Sequence, residues 1–194
     1  FLFDQYIKAD DSEVIADFDE KGIVELLVDS GITELESRLP KSISKSKKSV
    51  AETIENNVKR LIVEQNDVNP ELYGKMSEML EALIAKRKES VADYKNHLEQ
   101  LKKLAEQAMN RGPSSEYPTV LVTDGLRNIY DNVVKDEALT LRIHQAIVGS
   151  KKEGWIGVKL KEKRVRNALK KVEGVEEDKL DDLMTLIQKQ DDYQ

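Results

Sequence analysis

The chain has 194 residues, enough to bury a core in one or two domains, and carries a net charge of -6 with charged residues at 35% and aromatics at 5%. Nine glycines and four prolines are few, a balance that fits a helix-rich globular protein and excludes both a β-sandwich and a disordered chain. No cysteine is present, so there is neither a disulfide framework nor a thiolate metal site, as suits the cytoplasm. No apolar run approaches the roughly 20 residues of a membrane span, and no signal peptide is visible.

The chain opens Phe1-Leu2-Phe3 without a methionine, which suggests a cut through a longer polypeptide whose remainder covers Phe1, Phe3, Tyr6 and Ile7. Val14, Ile15 and Phe18 then share one helical face behind Asp11 or Ser12 as a cap. Ile23 to Val28 reads as a second short helix closed by Gly31, and Thr33 to Leu39 as another that ends before Pro40. The Lys/Ser-rich stretch 40–49 reads as an exposed linker, so residues 1–45 are taken as the end of a preceding helical region plus linker and 46–194 as a C-terminal helical domain.

Val50, Ile54, Val58, Leu61 and Ile62 repeat at intervals of four and three, the mark of an amphipathic helix reaching about Gln65. Asn69-Pro70 is a helix start, with asparagine as cap and proline where its missing N–H is harmless. From there a seam of Tyr73, Met76, Leu80 and Leu83, then Val91, Tyr94, Leu98, Leu101, Ala105 and Ala108, slips once near Arg87. That pattern predicts one long coiled-coil-like helix over about 70–110, roughly 60 Å in length at 1.5 Å per residue.

A loop over 110–122 leads into a cluster of four shorter helices. Leu126, Ile129, Tyr130, Val133 and Val134 form the first stripe, behind Thr123 or Asp124. Leu139, Ile143, Ala146 and Ile147 form the second behind Asp136; Val165, Ala168, Leu169 and Val172 the third; Leu180, Leu183, Met184 and Ile187 the fourth. Ile156, Val158 and Leu160 alternate and are expected to run extended, and Glu176, Glu177 and Asp178 to occupy the first turn of the last helix. The fold class is therefore all-α.

No complete active site is legible. The chain lacks GxxxxGK[ST], GxGxxG and GxSxG. Asp136-Glu137-Ala138-Leu139 has the letters of an ATPase DExx box but follows Lys135 rather than an apolar strand, so Asp136 reads as a cap. Glu177-Asp178-Lys179 holds the E-x-K element of a nuclease site on a helix start, not on a strand. His97, beside the long seam and expected half exposed, and His144 lack the three or four clustered ligands of a metal site.

Charge segregation is the strongest functional signal. Lys151 to Lys171 holds nine basic residues and two acids, a local charge of +7, and the stretch after it holds eight acids against Lys179 and Lys189, a local charge of -6. Two readings stand side by side. In one, the basic residues form a solvated helix face clamped by the acidic tail. In the other, Lys159, Lys161, Lys163, Arg164, Arg166, Lys170 and Lys171 contact phosphates of double-stranded DNA without reading sequence. The lone Trp155 is expected in the core, which leaves no aromatic ladder for single strands. Lys41, Lys45, Lys47 and Lys48 make a second, smaller basic patch.

Asn69-Pro70-x-x-Tyr73-x-Lys75-Met76-Ser77-x-x-Leu80, Ile129-Tyr130-Asp131-Asn132-Val133, and Gly154-Trp155 followed by Val165-Arg166-Asn167-Ala168-Leu169 together resemble the C-terminal region of the R subunit of type I restriction enzymes, closest to the IC subfamily. The resemblance spans about 50–194, and residues 1–45 resemble the helical region behind the motor. It implies a parent chain that is an ATP- and Mg-dependent, DNA-translocating endonuclease of the cytoplasm. The nuclease and motor motifs of that family do not occur here, so no catalytic, cofactor or metal residue carries over. What it implies for this stretch is a noncatalytic role: docking on the methyltransferase and specificity subunits, and lining the path of duplex DNA.

Overall fold

The computed structural model describes residues 22–89, 93–110, 117–133 and 135–194. The stripe at Val14, Ile15 and Phe18 and the apolar residues Phe1, Phe3, Tyr6 and Ile7 lie outside these, as do Val91 and Val134. The described residues form ten α-helices and no strand, an all-α fold.

Helices α1 (Ile23–Ser30) and α2 (Ile32–Arg38) meet at Gly31, whose φ of 86° reverses the chain while its N–H donates to the Leu27 carbonyl. The expected linker is instead largely helical. Lys41–Ser44 forms α3, and α4 spans Lys47–Asn66 with the Ser46 hydroxyl accepting from the Ser49 N–H. Ile43 packs against the core, which the lysine-rich composition around it conceals.

The single long helix is overturned. Helix α5 (Pro70–Glu89), capped by Asn69 on the Leu72 N–H at 3.2 Å, is followed by a separate α6 (Tyr94–Met109), capped by Asp93 on the Asn96 N–H. The Tyr73 hydroxyl near the start of α5 donates to the Ala108 carbonyl near the end of α6 at 3.1 Å. A continuous helix would hold these residues about 50 Å apart, so α5 and α6 form an antiparallel hairpin, and α4 packs along both. Tyr73, Met76, Leu80, Leu98, Leu101, Ala105 and Ala108 do face inward as the seam requires, but toward one shared core. Leu26, Leu27 and Leu35 enter the same core, so residues on both sides of position 45 contribute to it.

The second core belongs to the C-terminal cluster. Helices α7 (Asp124–Asn132), α8 (Glu137–Ser150), α9 (Lys159–Leu169) and α10 (Leu180–Gln188) bury Ile129, Ile143, Ile147, Val165, Leu169, Leu183 and Ile187. Thr123 caps α7 and Asp136 caps α8, the latter on the Leu139 N–H at 2.6 Å. Trp155 is fully buried here, as expected, and its indole N–H donates to the Tyr193 carbonyl at 2.6 Å. Two details differ from the sequence reading. Residues 156–160 are not extended, because Gly154 (φ 58°) and Gly157 (φ 79°) fold the chain through two turns into α9. Glu177 and Asp178 lie in a 3-10 turn (Glu177–Lys179) ahead of α10, whose own first turn carries Asp181 and Asp182.

A polar joint ties the two cores together. The buried Asn69 donates to Asp131 at 2.8 Å and accepts from Asn132 at 2.7 Å, and Asn132 in turn accepts from the Glu71 N–H at 3.0 Å. The Gln190 amide reaches the Val68 carbonyl at 2.9 Å. Buried amides fully satisfied in this way fix one orientation of the helices they join.

Candidate nucleic-acid interface

Helix α9 carries the basic stretch. Val165 and Leu169 point into the second core, which leaves Lys159, Leu160, Lys163, Arg164, Asn167, Lys170 and Lys171 exposed along the outer side. Leu160, Arg164 and Asn167 stand at intervals of four and three, so they share one face of the helix.

The seven basic residues singled out from sequence separate into three groups. Lys159, Lys163, Arg164 and Lys171 are exposed, and their side chains form no hydrogen bond or ion pair with another described residue. Lys161 is spent on the local backbone: its ammonium donates to the Glu153 carbonyl at 2.7 Å and the Gly154 carbonyl at 3.4 Å. Arg166 and Lys170 are held by the acidic tail, Arg166 by Asp181 and Lys170 by Glu177. The Arg166 guanidinium, by hydrogen bond and by charge, keeps the Asp181 carboxyl below the usual carboxylate range, and Lys170 does the same to Glu177. The fold therefore combines both sequence readings: Lys159 and Lys163 stay open on the same stripe of the helix as the clamped Arg166 and Lys170, and Arg164 stays open on the face of Leu160 and Asn167.

The remaining basic residues are scattered or engaged. Lys151 donates to the carbonyls of Asp192 and Gln194. In the smaller patch Lys47 lies 5.4 Å over the Tyr94 ring and Lys48 is 3.9 Å from Glu52, while Lys41 and Lys45 are exposed. The residues weighed for catalysis are also engaged. Asp136 caps α8, Glu177 pairs with Lys170, and Lys179 pairs with Glu176 at 3.0 Å. His144 is hydrogen-bonded to the Tyr193 hydroxyl at 3.0 Å. Among the described residues no three His, Asp or Glu side chains cluster as metal ligands would.

His97 is not half exposed but buried, and it belongs to a group that the sequence reading did not assemble. Its Nε2 lies 2.7 Å from Glu55 Oε1 of α4. Arg87 of α5 grips the same carboxylate with two bonds, Nε at 2.6 Å and Nη2 at 3.0 Å, and its own protonated form is strengthened by Glu55. This cluster joins α4, α5 and α6 beside a cavity of about 550 Å³ lined by Lys47, Glu52, Arg87, Asp93 and Tyr94. A carboxylate shared by a guanidinium and an imidazole at the centre of three helices holds them in register. The signal was available, since Arg87 is the residue that interrupts the apolar seam.

Of the motifs behind the family resemblance, two fall in the joint and the hairpin, and the third, Gly154-Trp155 with Val165 to Leu169, falls in the basic ridge and its lead-in turn. Asn69, Asp131 and Asn132 form the hydrogen bonds of the joint, and Tyr73 locks the α5–α6 hairpin. Comparison with protein-family models, with curated proteins and with solved structures finds no match.

Proposed function

We propose that this chain is a noncatalytic helical module of a type I restriction enzyme R subunit, in which α9 contacts the backbone of duplex DNA and the body docks on the methyltransferase core with its specificity subunit. The observation that carries the DNA half is the set of open cations Lys159, Lys163 and Arg164 on one helix, with Lys171 in the turn after it, in an otherwise acidic protein. Free ammonium and guanidinium groups in a row suit phosphates, and they read no base sequence. Splitting of ATP with Mg and cutting of DNA belong, in this reading, to other parts of a cytoplasmic parent chain.

A second reading keeps the module as a docking element that DNA never meets. The Arg166–Asp181 and Lys170–Glu177 pairs favour it, because they neutralise part of the ridge within the chain. Binding to duplex DNA across a salt series separates the two. The first reading expects affinity that falls steeply with salt, the second expects none.

A further inference from the structure

The turns that lead into α9 expose three aliphatic side chains within five residues: Ile156 at 38%, Val158 at 42% and Leu160 at 80%. A single exposed leucine is ordinary. This group is different because the backbone beneath it is fixed from several sides. Trp155 anchors the first turn through Tyr193. The Gly157 N–H donates to Glu162 Oε1 at 2.8 Å, and the Gln188 amide donates to the same oxygen at 3.1 Å. The Lys161 ammonium staples the carbonyls of Glu153 and Gly154, and the Val158 N–H closes on the Trp155 carbonyl at 3.3 Å. Gly154 and Gly157 supply the positive φ angles that such tight turns demand.

We propose that Ile156, Val158 and Leu160 form a preorganised knob that seats in an apolar socket, rimmed by carboxylates, on a protein partner. The proposal rests on the assembly half of the reading above and names the face that docks. Rigid presentation removes the ordering cost that a flexible loop would pay on binding. Lys152 and Lys159 flank the knob as open cations against one exposed carboxylate, Glu153, and Lys163 and Arg164 follow one turn along. A carboxylate rim on the partner complements them. Phosphate oxygens offer Ile156, Val158 and Leu160 nothing, so the knob adds an apolar contact beside Lys159, Lys163 and Arg164, which the DNA reading also uses. A lipid surface suits it less well, because the one tryptophan is turned into the core instead of standing at the tip.

The test titrates the chain into the methyltransferase–specificity assembly without DNA, comparing the unaltered protein with a Val158→Ser/Leu160→Ser variant and with Val122→Ser, a change at a 72% exposed valine elsewhere. Trp155 fluorescence reports that each variant keeps its fold, and duplex DNA and phosphatidylglycerol vesicles serve as parallel arms. The expected result is at least a tenfold loss of affinity for the assembly in the double variant alone, with duplex affinity unchanged. Equal affinity in the double variant overturns the knob while leaving assembly intact. No binding by the unaltered chain overturns assembly and the knob together. Vesicle binding that depends on Val158 and Leu160, without an effect on the assembly, overturns the protein partner.

Discussion

Arg166 on α9 donates from its guanidinium to the carboxylate of Asp181, one of the acids that follow the basic stretch. With Lys170 on Glu177 one turn along, the chain supplies its own anions to one edge of the ridge. Removing those anions leaves two more cations for a polyanion. A Glu177→Gln/Asp181→Asn variant is therefore expected to bind duplex DNA more tightly. The slope of log K against log salt steepens from about -3.6, for four open cations, to about -5.4, for six. Equilibrium binding between low and moderate salt reads both slopes. Parallel lines would mean that Arg166 and Lys170 never reach phosphate.

The same pairs have a pH signature. Both carboxyls titrate below their ordinary range because a cation is hydrogen-bonded to each. A depressed folded value means that the pairing contributes above the ordinary carboxylate range and is lost as pH falls through the depressed one. Carboxyl carbon titration by NMR is expected to show the Asp181 midpoint rising toward the ordinary value in Arg166→Gln, and that of Glu177 doing so in Lys170→Gln. Midpoints that stay put would show that the pairs do not persist in solution.

Glu55 is the most consequential single side chain of the first core. Replacing it with glutamine leaves the largely buried Arg87 guanidinium only the half-exposed Glu52 carboxylate, 3.6 Å away, as counter-charge, and breaking a buried pair costs about 3 kcal/mol. Urea unfolding of Glu55→Gln should show that loss, and an Arg87→Met/Glu55→Leu pair should recover much of it. A neutral single substitution would contradict the role given to the cluster.

Gly125 sits where the C-terminal turn lands on α7. Its N–H donates to Asp192 at 2.6 Å, and an added Cβ would stand 2.7 Å from that carboxylate and 3.0 Å from the Tyr193 ring. Gly125→Ala therefore displaces the Asp192 carboxylate from the Gly125 N–H and presses on the buried Tyr193 ring, which is expected to loosen the Trp155–Tyr193 bond. A red shift and quenching of Trp155 emission, with a lower melting temperature, are the expected readouts. Unchanged emission would show that the turn can move without disturbing its anchor.

Local chemistry made much of this fold legible. Gly31, Asn69, Thr123 and Asp136 each end or cap a helix where their side-chain or backbone preference places them. The break between α5 and α6 was not legible, because an antiparallel hairpin and a continuous helix bury the same face and so share one apolar period. No glycine or proline marks the break, and its local signs were the slip of the seam near Arg87 and the capping residue Asp93. The basic stretch was visible as a charge run. Which of its members would be open, stapled to carbonyls or paired with Asp181 and Glu177 depends on tertiary placement that no charge count contains. The Glu55–Arg87–His97 cluster escaped for the same reason, since its members lie 32 and 42 residues from Glu55.

The most direct test of the central claim is equilibrium binding of the chain to an arbitrary duplex over a salt series, alongside Lys163→Glu/Arg164→Glu. The account predicts binding with a log–log slope of about -4, equal on unrelated sequences and shallower by about two in the variant. Affinity that is absent, insensitive to salt, or unchanged by reversing Lys163 and Arg164 would contradict it.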